Sequence, residues 1–182
     1  MANNNEKNLV KRLNKKDEEA FGMIYELYIN KIYRFVIFKV SDERIAQEIV
    51  QDVFIKLWRV VEKGEIVLNV SALLYKIARF RVIDYYRSAD YSRDEVSIDD
   101  VISDELTVED ETEEIIDINY DIEVIQNALK ELPIIYQEVI TLKFIEEKTN
   151  KEIALIIDKD ESNVRVISHR AIKALKKILI DK

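Results

Sequence analysis

Cationic and aromatic side chains alternate over residues 71–87, a stretch whose apolar spacing predicts a helix. Lys76, Arg79 and Arg87 share one side of that helix with Phe80. Cations follow phosphates and ring faces stack on unpaired bases, at about 1–3 kcal/mol per stacked base, so this pairing is typical of single-stranded nucleic-acid binding. The same residues also fit an amphipathic helix that has solvated cations and places its tyrosines in the core.

A second candidate nucleic-acid site lies in residues 149–178. Thr149 and Glu152 have the spacing of a capping box, which predicts the start of one helix, and a second helix is expected after a turn at 158–160. The second helix begins with small polar residues and carries a cationic face. This order is typical of helix-turn-helix DNA readers, in which polar side chains meet base edges and cations contact phosphates. An ordinary helical hairpin with a solvated basic side is the alternative.

Residues 45–58 are expected to form a helix whose two faces suit different partners. Its broad apolar stripe, expected to face the core, consists of Ile45, Ala46, Ile49, Val50, Val53, Phe54, Leu57 and Trp58. The opposite face has Ile55 surrounded by hydrogen-bonding and acidic side chains, which are Gln47, Glu48, Gln51 and Asp52. An apolar centre with a polar rim is typical of a protein-docking surface. An isolated surface apolar residue without a role is the other interpretation.

The composition predicts an all-α protein to hold these sites. One Pro and two Gly are too few turn-formers for an all-β fold, while Ile, Leu, Glu and Lys recur at helical spacing. Asp17 is expected to cap a helix that ends near Val40, and Ser41 with Asp42 to break and recap the chain. A loop is expected at 60–70, and further helices are expected at 70–88, at 124–132, and from 134, 149 and 161 onward. The inward faces of the two cationic helices are expected to be Leu74, Ile77, Ala78, Val82 and Tyr85, and Val164, Ile167, Ala171, Leu175 and Ile178.

The net charge of −8 is unevenly distributed along the chain. Residues 94–123 hold fourteen acids and no Lys or Arg, whereas residues 1–93 and 124–182 carry net charges of +4 and +2. Acidic blocks of this kind are usually extended or disordered because like charges repel. The predicted architecture is therefore two small helical domains, 1–93 and 124–182, joined by an acidic linker at 94–123, with the helix-turn-helix in the second domain.

Residues that could support catalysis or metal binding are scarce. The chain has no Cys, its sole histidine is His169, and its two glycines are isolated. Nucleophile–base pairs, metal sites and phosphate-cradling loops therefore have little to be built from, and we expect no enzyme activity, no catalytic or metal-binding residues and no cofactor. The first residues lack the apolar core of a signal peptide, and no run approaches the ~20 apolar residues that span a bilayer. We expect a cytoplasmic protein without membrane insertion.

Several strings in the right order resemble bacterial RNA polymerase sigma factors of the extracytoplasmic-function class. These strings are AQEIVQDVFIKLW, LLYKIARFRVIDYYR, ELPIIYQEVITLKF, KEIALII and HRAIKAL, and the resemblance covers residues 17–90 and 124–178. It implies that the partners are core RNA polymerase and promoter DNA, and that the chain directs promoter-specific transcription initiation. An anti-sigma factor is a further candidate partner, because many relatives are held inactive by one, but no residue here identifies it.

The resemblance also implies roles for individual residues. The helix over 45–58 would dock on the clamp helices of the largest polymerase subunit through Gln47, Glu48, Gln51, Asp52 and Ile55. The helix over 71–87, with the preceding loop, would bind the non-template strand of the melted −10 element through Lys76, Arg79, Phe80, Arg81 and Arg87. The duplex −35 element would be bound through Thr149, Lys151, Ser162, Asn163, Arg165, Arg170 and Lys173.

This sequence departs from the family pattern in three places. Leu73 stands where the family usually has Trp, and Phe80 stands where it usually has Asn, which bears on the −10 base that would be accepted. Val166 and Ile167 stand where polar and basic residues are common in the last helix. Asp158 stands where the turn often has Gly, which implies a different turn or an aspartate in the left-handed region.

A stand-alone helix-turn-helix regulator is the alternative function. Such a regulator predicts tight promoter binding without polymerase, usually as a dimer on a palindrome. A sigma factor is expected to bind DNA weakly on its own. The overall charge favours the sigma factor, because a free DNA binder is usually basic and this chain is acidic.

Overall fold

The computed structural model describes residues 2–89 and 122–180, and all the regular structure in these two ranges is helical. The helices are α1 Ala2–Leu13, α2 Glu18–Val40, α3 Glu43–Glu62, α4 Val70–Ala89, α5 Ile122–Lys130, α6 Ile134–Ile140 with a following π-helical turn Thr141–Ile145, α7 Asn150–Ile157 and α8 Glu161–Ile180. Their contacts define two compact units, one formed by α1 to α4 and the other built around α5, α6 and α8. The all-α prediction is confirmed.

The ends of α2 and α3 are set by their capping residues, as predicted. Asp17 accepts a hydrogen bond from the Ala20 N–H at 3.1 Å, and Asp42 accepts one from the Ile45 N–H at 3.0 Å. Between the two helices Ser41 takes a left-handed φ of 55°, which stops α2. Arg12 donates to Asp17 at 2.7 Å, and this hydrogen bond is the largest cause that lowers the pKa of the Asp17 carboxyl.

The core of the first unit lies where α2, α3 and α4 pack together. Its buried side chains are Ala20, Ile24, Tyr28, Ile32, Phe35 and Val36 from α2, Ala46, Ile49, Val50, Val53, Phe54, Leu57 and Val61 from α3, and Leu74, Tyr75, Ala78 and Val82 from α4. Two residues predicted for the α3 stripe, Ile45 and Trp58, are only half-buried because they lie at its margins.

Two sequence predictions for the first unit are wrong in detail. The loop expected from residue 60 begins after Glu62, because Val61 extends the buried stripe of α3 by one more turn. On α4 the buried aromatic is Tyr75, whose ring meets the Phe35 ring edge-on at 5.3 Å between centroids, whereas Ile77 and Tyr85 are half-buried. The inward face of α4 is therefore rotated from the one that the spacing predicted.

In the second unit, α6 and α5 pack against α8, and Pro133 precedes the first residue of α6. The inward face of α8 agrees with the prediction except at its end, where Leu179 is buried and Ile178 is half-buried. The turn between α7 and α8 contains Asp158 with a φ of 62°, so the aspartate does adopt the left-handed conformation. The Lys159 N–H then donates to the Ala154 carbonyl at 3.1 Å, closing the end of α7.

The predicted acidic linker at 94–123 lies outside the described residues except for its last two positions, which open α5. None of the helices in the described ranges is long and apolar enough to cross a membrane. The same ranges contain no cluster of three or more His, Asp or Glu that could hold a metal ion.

Candidate protein and nucleic-acid interfaces

The outward face of α3 has the chemistry that the sequence predicted. Gln47, Glu48 and Gln51 are exposed and Asp52 is half-buried. At the centre of this face, 48% of Ile55 is exposed to solvent. The α3 face, as we call these five residues, therefore combines an apolar centre with a polar and acidic rim, as a protein-docking surface requires.

An open groove of about 710 Å³ adjoins the α3 face, and sequence reasoning did not find it. Its lining residues from α2 and α3 are Glu18, Phe21, Tyr25, Gln51, Phe54, Ile55, Trp58, Arg59 and Glu62. Phe21 and Trp58 meet edge-on at 5.1 Å between ring centroids, and Tyr25 lies 4.7 Å from Phe54. Because Ile55 and Gln51 belong to both surfaces, the groove extends the α3 face onto α2.

A signal for this groove was present in α2. Tyr25 lies off the buried stripe of that helix and is 41% exposed. Apolar residues of this size outside the core stripe indicate a partner surface when they adjoin a second apolar patch. That adjacency is a property of the packing between α2 and α3, so the sequence alone did not show it.

The side chains predicted to bind the −10 element are not equally accessible on α4. Phe80 and Arg87 are exposed and Lys76 is half-buried, whereas Arg79 is only 7% exposed. Arg79 follows Tyr75 by one helical turn and therefore lies on the buried stripe, with its guanidinium carbon 5.7 Å from the centre of the Phe80 ring. The prediction that Arg79 shares an outward face with Lys76 and Phe80 is wrong.

One ion pair connects the two predicted binding surfaces of the first unit. Asp52 on the α3 face binds Arg81, which the sequence assigned to −10 binding, and both side chains are partly exposed. Arg81 also lies 3.8 Å from Asp84, one turn further along α4. The structure thus joins one residue from each predicted site, although the sequence placed them in separate surfaces.

The helix-turn-helix carries the third set of predicted residues. Ser162, Arg165 and Lys173 are exposed, and Asn163 and Arg170 are half-buried. All five lie on α8, within about three turns of its start, which fits the arrangement of a recognition helix. Of the two apolar departures from the family pattern, Ile167 is buried in the core and Val166 is half-buried.

Thr149 and Lys151 are exposed at the start of α7. The predicted capping box is present, since the Thr149 N–H donates to Glu152 Oε2 at 2.9 Å and the Glu152 N–H donates to Thr149 Oγ1 at 3.3 Å. The Thr149 hydroxyl also donates to Glu152 Oε2, at 2.8 Å. Partial burial raises the pKa of the Glu152 carboxyl, but the hydrogen bonds from Thr149 and the nearby charge of Lys148 outweigh it, so the pKa lies below its ordinary value.

Comparisons with known proteins place both units in one family. Residues 24–92 match the family described as Sigma-70 region 2, and residues 122–175 match Sigma-70, region 4. The extracytoplasmic-function (ECF) RNA polymerase sigma factor SigW of Bacillus subtilis is 29% identical over 96% of this chain and 97% of its own. The ECF RNA polymerase sigma factor BldN of Streptomyces coelicolor is 26% identical over 95% of this chain, which spans 65% of the length of BldN.

Two solved structures share the fold. The sigma factor RpoE of Bartonella quintana, solved with the anti-sigma factor NepR, matches 87% of this chain and 96% of its own with a TM-score of 0.65 and 22% identity. CnrH, solved with the cytosolic domain of CnrY, matches 97% of this chain and 98% of its own with a TM-score of 0.70 and 18% identity.

Residues 24–92 match one sigma-70 region, and residues 122–175, which contain the helix-turn-helix, match another, and this order defines a two-domain sigma factor. The chain belongs to the sigma-70 family, in the extracytoplasmic-function class. It binds core RNA polymerase and directs promoter-specific transcription initiation, and the alternative of a stand-alone regulator is not favoured.

Proposed function

We propose that the first domain, residues 1–93, docks on the clamp helices of the largest polymerase subunit through the α3 face. The observation that carries this proposal is the exposed Ile55, which has acidic and amide side chains on one side and an aromatic groove on the other. A helix of the partner could place apolar residues in the groove and cations against Glu48 and Asp52. The groove residues Phe21 and Tyr25 extend this docking surface beyond the residues that the sequence identified.

For DNA, we propose that α4 and the loop before it bind the unpaired non-template strand of the −10 element. Lys76, Arg81 and Arg87 supply charge for the phosphates, and the exposed Phe80 ring offers a face for stacking. Arg79 would act through the Phe80 ring, because its own guanidinium is buried beside it. The second domain, residues 124–182, would bind the duplex −35 element. Its contacts would be Thr149, Lys151, Ser162, Asn163, Arg165, Arg170 and Lys173.

The chain would act as an adaptor without chemistry of its own, in the cytoplasm, where the polymerase and the promoter are found. By similarity to RpoE and CnrH, each solved with a bound partner protein, we also propose that an anti-sigma factor regulates it. The exposed apolar surfaces of the first domain are candidates for that contact as well, because they present Ile55, Tyr25 and neighbouring aromatic side chains.

The decisive experiment is in vitro transcription with core RNA polymerase on a library of promoter variants. We expect transcripts from a subset of promoters that share −10 and −35 elements, and none without this chain. Without polymerase, the chain should bind the same promoters only weakly. A purified chain that associates with core enzyme under no salt condition would overturn the proposal.

A matched pair of α2 variants tests the groove. Tyr25 and Met23 are 41% and 42% exposed and lie two residues apart, but only Tyr25 lines the groove. We expect Tyr25→Ser to weaken core binding by about tenfold, as a buried aromatic contact would, and Met23→Ser to leave it within about twofold. Affinities can be measured by fluorescence anisotropy of labelled protein with core enzyme. Equal effects from the two substitutions would show that the groove is not part of the interface.

A further inference from the structure

The loop between α3 and α4 exposes two large apolar side chains. Ile66 is 76% exposed and Leu68 is 90% exposed, while Val67 between them is buried. Leaving two branched side chains in water forgoes the stabilisation that burial would give, so a loop that served only as a connection has no need of them. They lie on either side of the buried Val67 and precede the first residue of α4, the helix of the proposed −10 site.

Val67 is held in place by the Asn14 side chain, which comes from the turn after α1. Asn14 Nδ2 donates to the Val67 carbonyl at 2.9 Å, and the Val67 N–H donates to Asn14 Oδ1 at 2.9 Å. One planar amide therefore satisfies both backbone groups of Val67 and fixes the orientation of that residue. A second contact from the same turn, Lys16 Nζ to the Glu62 carbonyl at 3.0 Å, holds the start of the loop.

The backbone on either side of Val67 is also defined. Gly64 turns the chain out of α3 with a φ of 80°, which a glycine adopts without steric cost. The Asn69 side chain accepts a hydrogen bond from the Ala72 N–H at 2.9 Å and so caps the start of α4. Between these two points, the Asn14 amide binds both backbone groups of Val67, while Ile66 and Leu68 on either side of it are exposed.

We propose that Asn14 is a positioning residue for −10 recognition, which holds Ile66 and Leu68 where they contact unpaired bases of the strand bound by α4. The proposal rests on the proposed function of α4. Asn14 precedes residues 24–92, the part of the chain that matches Sigma-70 region 2, so the family match does not include this contact. Branched apolar side chains offer contact to base faces and to methyl groups, and a site of this kind selects bases only if its backbone is fixed.

The test measures base discrimination and not only activity. Holoenzymes with wild-type chain, Asn14→Ala and the control Asn30→Ala, an exposed asparagine on α2, are compared on promoters that differ by single bases in the −10 element. We expect Asn14→Ala, which removes both hydrogen bonds to Val67, to lower the ratio of transcription between the best and worst base by about fivefold, while core affinity stays within about twofold. The control should keep the wild-type ratio.

Two further measurements show whether Asn14 acts through the loop. Hydrogen exchange of the Val67 amide should be faster in Asn14→Ala, with exchange in α2 and α3 unchanged. The double substitution Ile66→Ser and Leu68→Ser removes only exposed side chains, and it should lower discrimination even if Asn14→Ala is poorly folded. Adding Asn14→Ala to that double variant should then cause little further loss, because all three changes act on one contact.

The outcomes separate the two proposals. Wild-type holoenzyme that initiates from none of the −10 variants would overturn the proposed function and this inference with it. Wild-type discrimination retained in Asn14→Ala, despite faster exchange of the Val67 amide, would overturn the inference alone. Wild-type base discrimination in the variant with both Ile66→Ser and Leu68→Ser would also overturn the inference and leave the proposed function standing.

Discussion

At the scale of single residues, Asp52 pairs with Arg81 in the structure and, in the docking that we propose, would pair with a cation of the polymerase. In the free chain its carboxylate binds Arg81, which belongs to the helix proposed for −10 binding. When α3 docks on the polymerase, a cation of the partner could take over the carboxylate and leave Arg81 available to a DNA phosphate. Both side chains are partly exposed, so the pair stabilises the fold by at most about 1 kcal/mol. Replacing the Asp52–Arg81 pair by a pair with the polymerase would therefore cost little folding free energy.

Substitutions at this pair separate folding from docking. Asp52→Lys places a cation beside Arg81, and we expect it to lower the free energy of unfolding by only about 1 kcal/mol but to abolish core-dependent transcription. The exchanged pair, Asp52→Arg with Arg81→Asp, should regain the stability but not the core binding, because the carboxylate is no longer on α3. Thermal unfolding and core-binding titrations check the two effects. Wild-type core affinity in the exchanged pair would mean that Asp52 has only a structural role.

At the scale of elements, the described helices are defined mainly by local hydrogen bonds at their ends. Asp17, Asp42 and Asn69 cap α2, α3 and α4, and the Thr149–Glu152 box begins α7. Each of these bonds spans three residues, so the sequence could identify three of the four starts before any tertiary contact was known. The capping box begins α7, the first helix of the helix-turn-helix.

We expect the capping box to make the stability of the second domain depend on pH. The folded pKa of Glu152 is lowered, so its ionised form contributes stability that is present above the unfolded pKa and is lost as the pH falls through the folded pKa. Glu152→Gln keeps a capping side chain but cannot ionise. At neutral pH we expect the wild type to be more stable by a few tenths of a kcal/mol, since solvent screens the charge.

Unfolding curves of the wild type and Glu152→Gln between pH 7 and pH 3 would check this prediction. Other carboxyl groups titrate in both proteins, so their effects cancel in the difference between the two curves. The difference in the free energy of unfolding between the wild type and Glu152→Gln should shrink as the solution is acidified. A difference that stays constant over the whole pH range would contradict a role for the Glu152 charge.

At the scale of the whole molecule, charge is divided among the segments. The two domains are mildly basic, and the acidic linker of residues 94–123 reverses the overall sign. We propose that the linker lies along the basic RNA path of the polymerase and, in the free chain, suppresses DNA binding by repelling phosphates. Affinity for the promoter would then come mainly from the holoenzyme, as the weak binding expected of the free chain requires.

Replacing the acids of the linker with Asn and Gln tests that idea. We expect the neutralised chain to bind promoter duplex more tightly than the wild type at low salt, with the gain shrinking as salt screens the charges. Fluorescence anisotropy of labelled duplex at several salt concentrations measures both effects. A control that replaces equally many uncharged residues of the linker should bind as the wild type does. An affinity at low salt that does not change would contradict the proposal.

The amino-acid sequence by itself determined the helices from α2 onward, three of their caps, the left-handed conformation of Asp158 as one of two alternatives, and the two faces of α3. These features follow from neighbours within about one or two helical turns, because apolar periodicity and capping bonds are local. The tertiary structure alone decided the groove between α2 and α3, the burial of Arg79, the Asp52–Arg81 pair and the Asn14–Val67 contact. The last of these joins residues 53 positions apart. Such contacts depend on which helix faces pack together and at what rotation, and no local pattern specifies that.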